Sequence, residues 1–260
     1  MIFIVGGKGL TGSALVEYAK KNGFEFEIIQ RENKEEFFGK SCDVLIFANG
    51  NAVKSKANQD PFFDFHASVS SVVEYVQKID YKKFVLLSTV DVYDRKDDER
   101  FTNEDIKINE KSLAPYGFHK LLAENYVKRY CSDYLIFRLG GLVGNGLKKN
   151  PAYYFIKKDS KVTISPDSEL NFIHTDLVAE IIFRVLHEKM SNEIFNVASK
   201  NSIRIGDIRN IIKYDSEFSD DAKNQVERYK INTHKIQKLV KISTSEDSIK
   251  KYFDELEYNI

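Results

Sequence analysis

Met1-Ile2-Phe3-Ile4-Val5-Gly6-Gly7-Lys8-Gly9-Leu10-Thr11-Gly12-Ser13 is the stretch that decides the fold. A short apolar strand runs straight into a turn with glycines at 6, 9 and 12, and Ser13 to Tyr18 opens a helix. Such a turn needs glycine because backbone amides must approach an anion closely and the helix must start beside the strand. The helix N-terminus then offers its free N–H groups and the positive end of its dipole. The G-x-x-G-x-x-G spacing is a variant of the dinucleotide fingerprint. With a strand before it and a helix after it, it reads as a pyrophosphate cradle rather than a structural turn.

Working outward, apolar runs alternate with amphipathic stretches. Strands are expected at 2–5, 25–29, 44–48, 83–88, 134–139 and 193–198, and helices at 12–22, 62–79, 115–131 and 176–189. Apolar strands alternating with helices predict a parallel sheet covered on both faces, a Rossmann-like doubly wound α/β fold. Between the second and third strands only the charged segment 32–40 intervenes, read as one short helix. The missing strand predicts a trimmed sheet. After Gly144 the pattern loosens, with turn signals at 148–151, 159–160 and 166–168, an acidic-to-mixed run at 213–228 and a basic run at 228–241. A last helix fits 245–256, with Ile249, Tyr252, Phe253 and Leu256 on one face. The expected organisation is a dinucleotide-binding domain over 1–145, rejoined by the helix and strand near 170–198. A small substrate-binding region covers 146–260 and folds over the carboxyl ends of the strands.

Composition sets bounds. The chain has 260 residues, with 39 basic and 39 acidic side chains and no net charge. It offers no overall electrostatic attraction to nucleic acid or membranes. No apolar run approaches the ~20 residues of a membrane span, and residues 1–5 are too short for a signal peptide, so a cytoplasmic protein is expected. Cys42 and Cys131 are too few for a disulfide framework and read as buried thiols. No His/Cys/Asp cluster has metal-ligand spacing.

Two further segments carry chemistry. Ser88-Thr89-Val90-Asp91-Val92-Tyr93 ends a strand, and Tyr116-Gly117-Phe118-His119-Lys120 opens a helix. Tyr116 and Lys120, four apart, share a helix face. An ammonium one turn away, together with a cationic nicotinamide ring, is expected to lower the phenol's pKa from its usual ~10. Tyr116 can then move a proton to or from a substrate oxygen while hydride moves to or from the cofactor. Thr89 can hydrogen-bond the reacting oxygen. Asp91 faces the same side as Thr89, either as an acid/base group on the substrate or as a turn cap. Cofactor choice turns on Gln30 and Arg31 at the end of the second strand. An acid there would favour NAD, whereas Gln30, Arg31 and Lys8 favour NADP, with NAD as the alternative.

These motifs together resemble the extended short-chain dehydrogenase/reductase family of nucleotide-sugar epimerases, dehydratases and reductases. Gly6–Gly12 is similar to its G-x-x-G-x-x-G, Asp43–Ala48 to D-x-V-I-x-x-A, 88–93 to S-[ST]-x-x-V-Y, and 116–120 to Y-G-x-x-K. Arg138–Gly144 resembles R-x-x-N-x-Y-G, 171–179 resembles R-D-F-I-H-V-D-D-V-A, and 194–197 resembles Y-N-[VI]. The resemblance implies Thr89, Tyr116, Lys120 and Asp91 as the catalytic set. It implies cofactor contacts from Gly6, Lys8, Gly9, Leu10, Gly12, Gln30, Arg31, Ala48, Ser88, Tyr116 and Lys120, and no metal. It further implies a nucleotide-sugar substrate in polysaccharide biosynthesis, and a homodimer formed through helices 62–79 and 115–131. His174 and Asp176 shape the pocket and start a helix. Tyr153 and Tyr154 either stack on a nucleotide base or pack the second region. His119 reads as a neutral surface or dimer-facing residue. The departures are Ser68 and Gly141, where the family has Asn, and Val90, where dehydratases carry an acid, which argues against 4,6-dehydration. The expected activity is keto-sugar reduction or epimerisation. The alternative is a cofactor-sensing or scaffold protein that kept the fold.

Overall fold

The computed structural model describes residues 1–157, 160–212 and 217–257. The turn expected at Asp159 and the first residues of the 213–228 run, 213–216, lie outside them.

The chain divides into two compact units. The first comprises Met1–Asp94, Glu104–Leu139 and Ala179–Phe195. Its strands are β1 (Ile2–Val5), β2 (Phe26–Ile29), β3 (Ser41–Phe47), β4 (Asp80–Thr89) and β5 (Tyr134–Leu139). Its helices are α1 (Leu10–Lys21), α2 (Lys54–Gln59), α3 (Pro61–Phe65), α4 (Ser71–Lys78) and α5 (Pro115–Tyr130). With a late strand, Glu193–Val197, they build a six-stranded sheet in the order β2-β1-β3-β4-β5 and then the late strand. β2, β1, β3, β4 and β5 pair in parallel, with Ile4 opposite Ile28 and Ile46. No strand stands between β2 and β3 in the chain, and 32–40 forms only a 3₁₀ turn at Lys34–Glu36 rather than a helix.

Alternation assigns the two faces. Phe3, Val5, Leu45, Phe47, Phe84, Leu86 and Ile136 join Val72, Tyr75 and Val76 of α4 and Ala123 and Val127 of α5 in one buried cluster. The β1-to-β2 and β3-to-β4 connections leave in opposite directions along the sheet. Right-handed crossovers therefore place α1 on the other face, where Tyr18 stacks on Phe183 at 4.9 Å. The reversal of strand order between β1 and β3 opens a crevice at their carboxyl ends, the usual ligand position of such sheets.

The helix expected over 62–79 is broken into α3, a π-helical turn at His66–Ser70 and α4. Asp60 caps α3 by accepting from the Phe63 N–H, and Pro61 occupies the first turn, where its missing N–H costs nothing.

The second unit comprises Arg95–Asn103, Gly140–Val178 and Asn196–Ile260. It holds two small ladders. Gly141–Val143 pairs in parallel with Phe172–His174, and Glu169–Leu170 pairs antiparallel with Ile203–Arg204. The last helix begins at Ser245, whose hydroxyl accepts from the Phe172 N–H. Asn171 ties the unit together: its amide donates to the Ser199 and Asn201 carbonyls and accepts from the Ser199 N–H. Among the described residues no helix is long and apolar enough to cross a membrane.

Candidate functional site

The glycine turn sits at the carboxyl end of β1. Gly6 has φ +79°, and the Gly9 N–H returns to the Gly6 carbonyl at 2.9 Å. A Cβ on Gly12 would stand 2.1 Å from the Gly6 oxygen, so α1 can start against the strand only because Gly12 has no side chain. No acidic residue stands in the first turn of α1, and the N–H groups of its first residues have no intrahelical acceptor. The cradle that a dinucleotide pyrophosphate requires is therefore present: close backbone, free amides and an unopposed dipole end.

Gln30 contributes something spacing did not show. With its amide oriented to pair donors with acceptors, Oε1 accepts from the Gly7 N–H (2.9 Å) and the Lys8 N–H (3.0 Å). Asn33 in turn accepts from the Gln30 N–H and donates to the Ile28 carbonyl. The end of β2 thus braces the glycine turn. Lys8 and Arg31 are exposed beside it. Ala48, just past β3, donates its N–H to the Val5 carbonyl, and a Cβ on Gly6 would press on the Ala48 carbonyl at 3.1 Å.

β4 ends at Thr89, which caps a 3₁₀ turn over Val90–Val92 by accepting from the Asp91 N–H. The Asp91 carboxylate accepts from the Thr89 hydroxyl at 3.3 Å and from Lys54 Nζ at 2.9 Å. Helix α5 approaches this turn at Gly117, where a Cβ would lie 2.2 Å from the Asp91 carbonyl oxygen. That approach brings the Tyr116 phenol to face the Thr89 hydroxyl. Burial first, then the Asp91 charge, push the phenol's pKa well above its ordinary value, while hydrogen bonding to Thr89 pulls it partly back. Without the cofactor's cationic ring, the protein's own groups thus favour the protonated phenol. Lys120, one turn on, is itself buried. Burial brings its pKa down to about 8, with Asp64 and then Glu124 opposing that fall.

Two buried networks brace this set. Glu124 and Arg138 form a salt bridge at 2.8 Å with almost no exposure of either. The Arg138 guanidinium also donates to the Tyr93 hydroxyl (2.9 Å) and lies over its ring. The Ser88 hydroxyl donates to Glu124 at 2.6 Å, so this predicted cofactor contact spends its side chain on the network. The second network contains His119. It is not a surface residue: it is buried, with Nδ1 2.7 Å from the fully buried Asp64. Sequence reasoning passed over Asp64, Asn51, Lys54 and Glu124. Only Glu124 had a visible signal, its place one helical turn beyond Lys120.

In the second unit, Gly141 has no room for a side chain, because a Cβ would meet the Asn171 oxygen at 2.4 Å. His174 is buried, with Nε2 on Glu255 (3.0 Å) and Nδ1 accepting from the Asp176 N–H. Burial, then the Lys251 charge, lower its pKa. His174, Asp176 and Glu255 bring potential ligand atoms within 4.8 Å of one another, a cluster their spacing did not reveal, but Lys251 is ion-paired to both acids. Tyr153 and Tyr154 lie edge to face with each other at 6.0 Å. Cys42 and Cys131 are free and buried.

Residues 2–198 match the model of the NAD dependent epimerase/dehydratase family. The chain belongs to this family. A Methanocaldococcus jannaschii protein named "Putative UDP-glucose 4-epimerase" is 22% identical over 261 residues, covering 85% of this chain and 84% of that protein. The solved UDP-glucuronic acid 4-epimerase of Bacillus cereus, in complex with a fluorinated UDP-glucuronic acid and NAD, superposes with a TM-score of 0.82 at 17% identity. That match covers 100% of this chain and 99% of the other. The dTDP-4-dehydrorhamnose reductase of Bacillus anthracis, in complex with NADP, gives 0.79 at 14% identity and covers 98% of each chain. Solved structures of this fold thus include an NAD-bound epimerase and an NADP-bound reductase.

Proposed function

We propose that this protein is an NAD(P)-dependent oxidoreductase acting on a nucleotide-activated sugar, as a keto-sugar reductase or an epimerase. The observation that carries this reading is the convergence of β4 and α5, which sets the Thr89 hydroxyl against the Tyr116 phenol with Lys120 one turn along the same helix face. The glycine cradle of Gly6, Gly9, Leu10 and Gly12 would hold the dinucleotide, with Gln30, Arg31 and Lys8 at its ribose end and Ala48 along its path. When bound, that cofactor supplies a carbon able to accept or donate hydride. Tyr116, kept neutral by burial and by Asp91, would donate its proton to a carbonyl oxygen in the reducing direction and be left as the phenolate, and in the oxidising direction that phenolate would take the proton back from a hydroxyl. Thr89, whose one hydroxyl proton goes to Asp91 in the free protein, would turn it to the same oxygen and fix its position. Lys120 places an ammonium beside the phenol and the ribose. Asp91, balanced by Lys54, holds the Thr89 rotamer and stands ready as a second acid/base group on the sugar. The absence of an acid at Gln30, with Lys8 and Arg31 exposed nearby, supports a preference for NADP.

The second unit supplies the substrate-binding region in this reading. The exposed rings of Phe62, Phe63 and Phe65 on α3 and of Tyr130 at the end of α5 support a homodimer through these helices.

The test measures cofactor oxidation and sugar interconversion with UDP- and dTDP-linked hexoses and their 4-keto forms, for wild type and Tyr116→Phe. The expected result is turnover that falls by about 10²–10⁴-fold in the variant with cofactor affinity kept. Cofactor binding without turnover on any of these sugars, unchanged in Tyr116→Phe, would establish a cofactor-sensing protein instead.

A further inference from the structure

Asp64 lies on α3, outside every motif, and is fully buried. A buried carboxylate needs hydrogen bonds and a counter-charge. Oδ1 accepts from Asn51 Nδ2 at 2.8 Å and from the Ser68 hydroxyl at 3.5 Å, and Oδ2 pairs with His119 Nδ1 at 2.7 Å. A carboxylate only accepts, so His119 carries its proton on Nδ1. The π-helical turn at His66–Ser70 places Ser68 in this group.

The same network shapes the seat of Lys120. Asn51 binds Asp64 and also clamps its own loop, accepting from the Val53 N–H and donating to the Val53 carbonyl. Gly50, next to Asn51, has φ +137°, and a Cβ there would come within 2.9 Å of Lys120 Nζ. The ammonium therefore rests against a backbone that only glycine permits, and Asp64 holds that backbone through Asn51. Two carboxylates act on Lys120, Asp64 from α3 and Glu124 from its own helix. Glu124 already serves Arg138 and Ser88. Asp91 is paired with Lys54 and acts on Tyr116.

We propose that Asp64 is a positioning residue for Lys120: held by Asn51 and His119, it fixes the Gly50 wall on which the ammonium rests and supplies its buried counter-charge. Its relevance to turnover rests on the reading of Lys120 as part of the proton-transfer set. The coupling itself is a property of the cofactor-free protein.

The test is an NMR titration on the full chain without cofactor that follows lysine ¹³Cε signals, with Lys120 assigned from Lys120→Met. Asp64→Asn preserves shape and removes the charge. The Lys120 midpoint is expected to fall by about one pH unit, a tenfold change in its proton affinity. Asn51→Ala keeps the Asp64 charge and unties the Gly50 loop from it, and is expected to raise the Lys120 midpoint, because water then reaches the ammonium. This second variant decides the matter should Asp64→Asn not fold. An unmoved Lys120 midpoint in folded Asp64→Asn, or in Asn51→Ala, would overturn the proposal. Neither result depends on turnover. A wild type inactive on every sugar would refute the proposed activity and leave the coupling intact.

Discussion

At the residue scale, Gln30 does two jobs with one amide. Its oxygen accepts from the Gly7 and Lys8 N–H groups, which leaves its NH₂ as the donor that the proposed cofactor site would place by the ribose. A glutamate of the same length would keep the acceptor, lose the donor and add a negative charge. Gln30→Glu is therefore expected to keep the fold and bind NAD within about threefold of wild type. NADP binding is expected to weaken tenfold or more, about 1.4 kcal/mol. Calorimetry with both cofactors checks this, and equal loss for the two would mean that residue 30 does not sit at the 2′ position. The side chain's place at the end of the second strand was legible. Its bracing role was not, because that depends on how the glycine turn folds back toward β2. His119 shows the opposite failure. A histidine between Phe118 and Lys120 carries no local sign that its partner lies 55 residues earlier.

At the element scale, α5 is the part on which the site depends. Pro115 starts it, Tyr116 and Lys120 line one face, and Gly117 permits contact with the Thr89–Asp91 turn. Gly117→Ala places a methyl group against backbone that cannot yield like a flexible side chain. The expected cost is that of overpacking, about 1–3 kcal/mol, seen as a fall in Tm of several degrees. Turnover should fall more than cofactor affinity, because Tyr116 moves away from Thr89 while the β1–α1 cradle stays. Thermal melts with paired kcat and Kd values test it, and a Tm and kcat both equal to wild type would show that α5 does not need this approach. The sheet strands were legible because short apolar runs and glycine punctuation are local signals. The break in 62–79 was not. A π-helical turn over five residues, His66–Ser70, leaves the apolar pattern almost unchanged, and its bond from the Ser68 hydroxyl to Asp64 has no signature in the sequence. The short helix expected at 32–40 shrank to a single turn for a related reason: its charges outnumber the apolar residues that could hold it to the sheet. The proposed homodimer would pack through α3 and α5. Phe62 is 75% exposed on α3, so Phe62→Glu is expected to shift a dimer toward monomer in sedimentation equilibrium without changing Tm of the monomer. A wild type that is already monomeric at tens of micromolar would remove this interface.

At the scale of the whole molecule, buried proton donors set how the fold responds to alkali. Burial raises Cys42 to about 11 and Tyr75 and Tyr252 to about 12, and it lifts Tyr81 and Tyr116 further. In the unfolded chain these thiols and phenols lose their protons near 8.5–10. Between those values and the folded ones the native state binds more protons than the unfolded state, so stability falls as pH rises. Lys120 works the other way. Its folded value of about 8 lies below the unfolded one, so from pH 8 upward the unfolded state holds the extra proton and stability gains. Lys128 is lowered like Lys120, and the two lysines are outnumbered by the raised thiols and phenols, which also include Cys131 and Tyr134. The expected curve is nearly level from pH 8 to 9 and falls steeply above about 10, by roughly 1 kcal/mol per buried phenol at pH 11. Urea unfolding under reductant at pH 8, 9.5 and 11 measures it. Tyr252→Phe should flatten the alkaline fall by one group's share while leaving the pH 8 value close to wild type, since Phe keeps the ring and removes only the ionisable oxygen. A stability at pH 11 equal to that at pH 8 would mean that these hydroxyls meet water in the folded state, and that the Tyr116 environment is open as well.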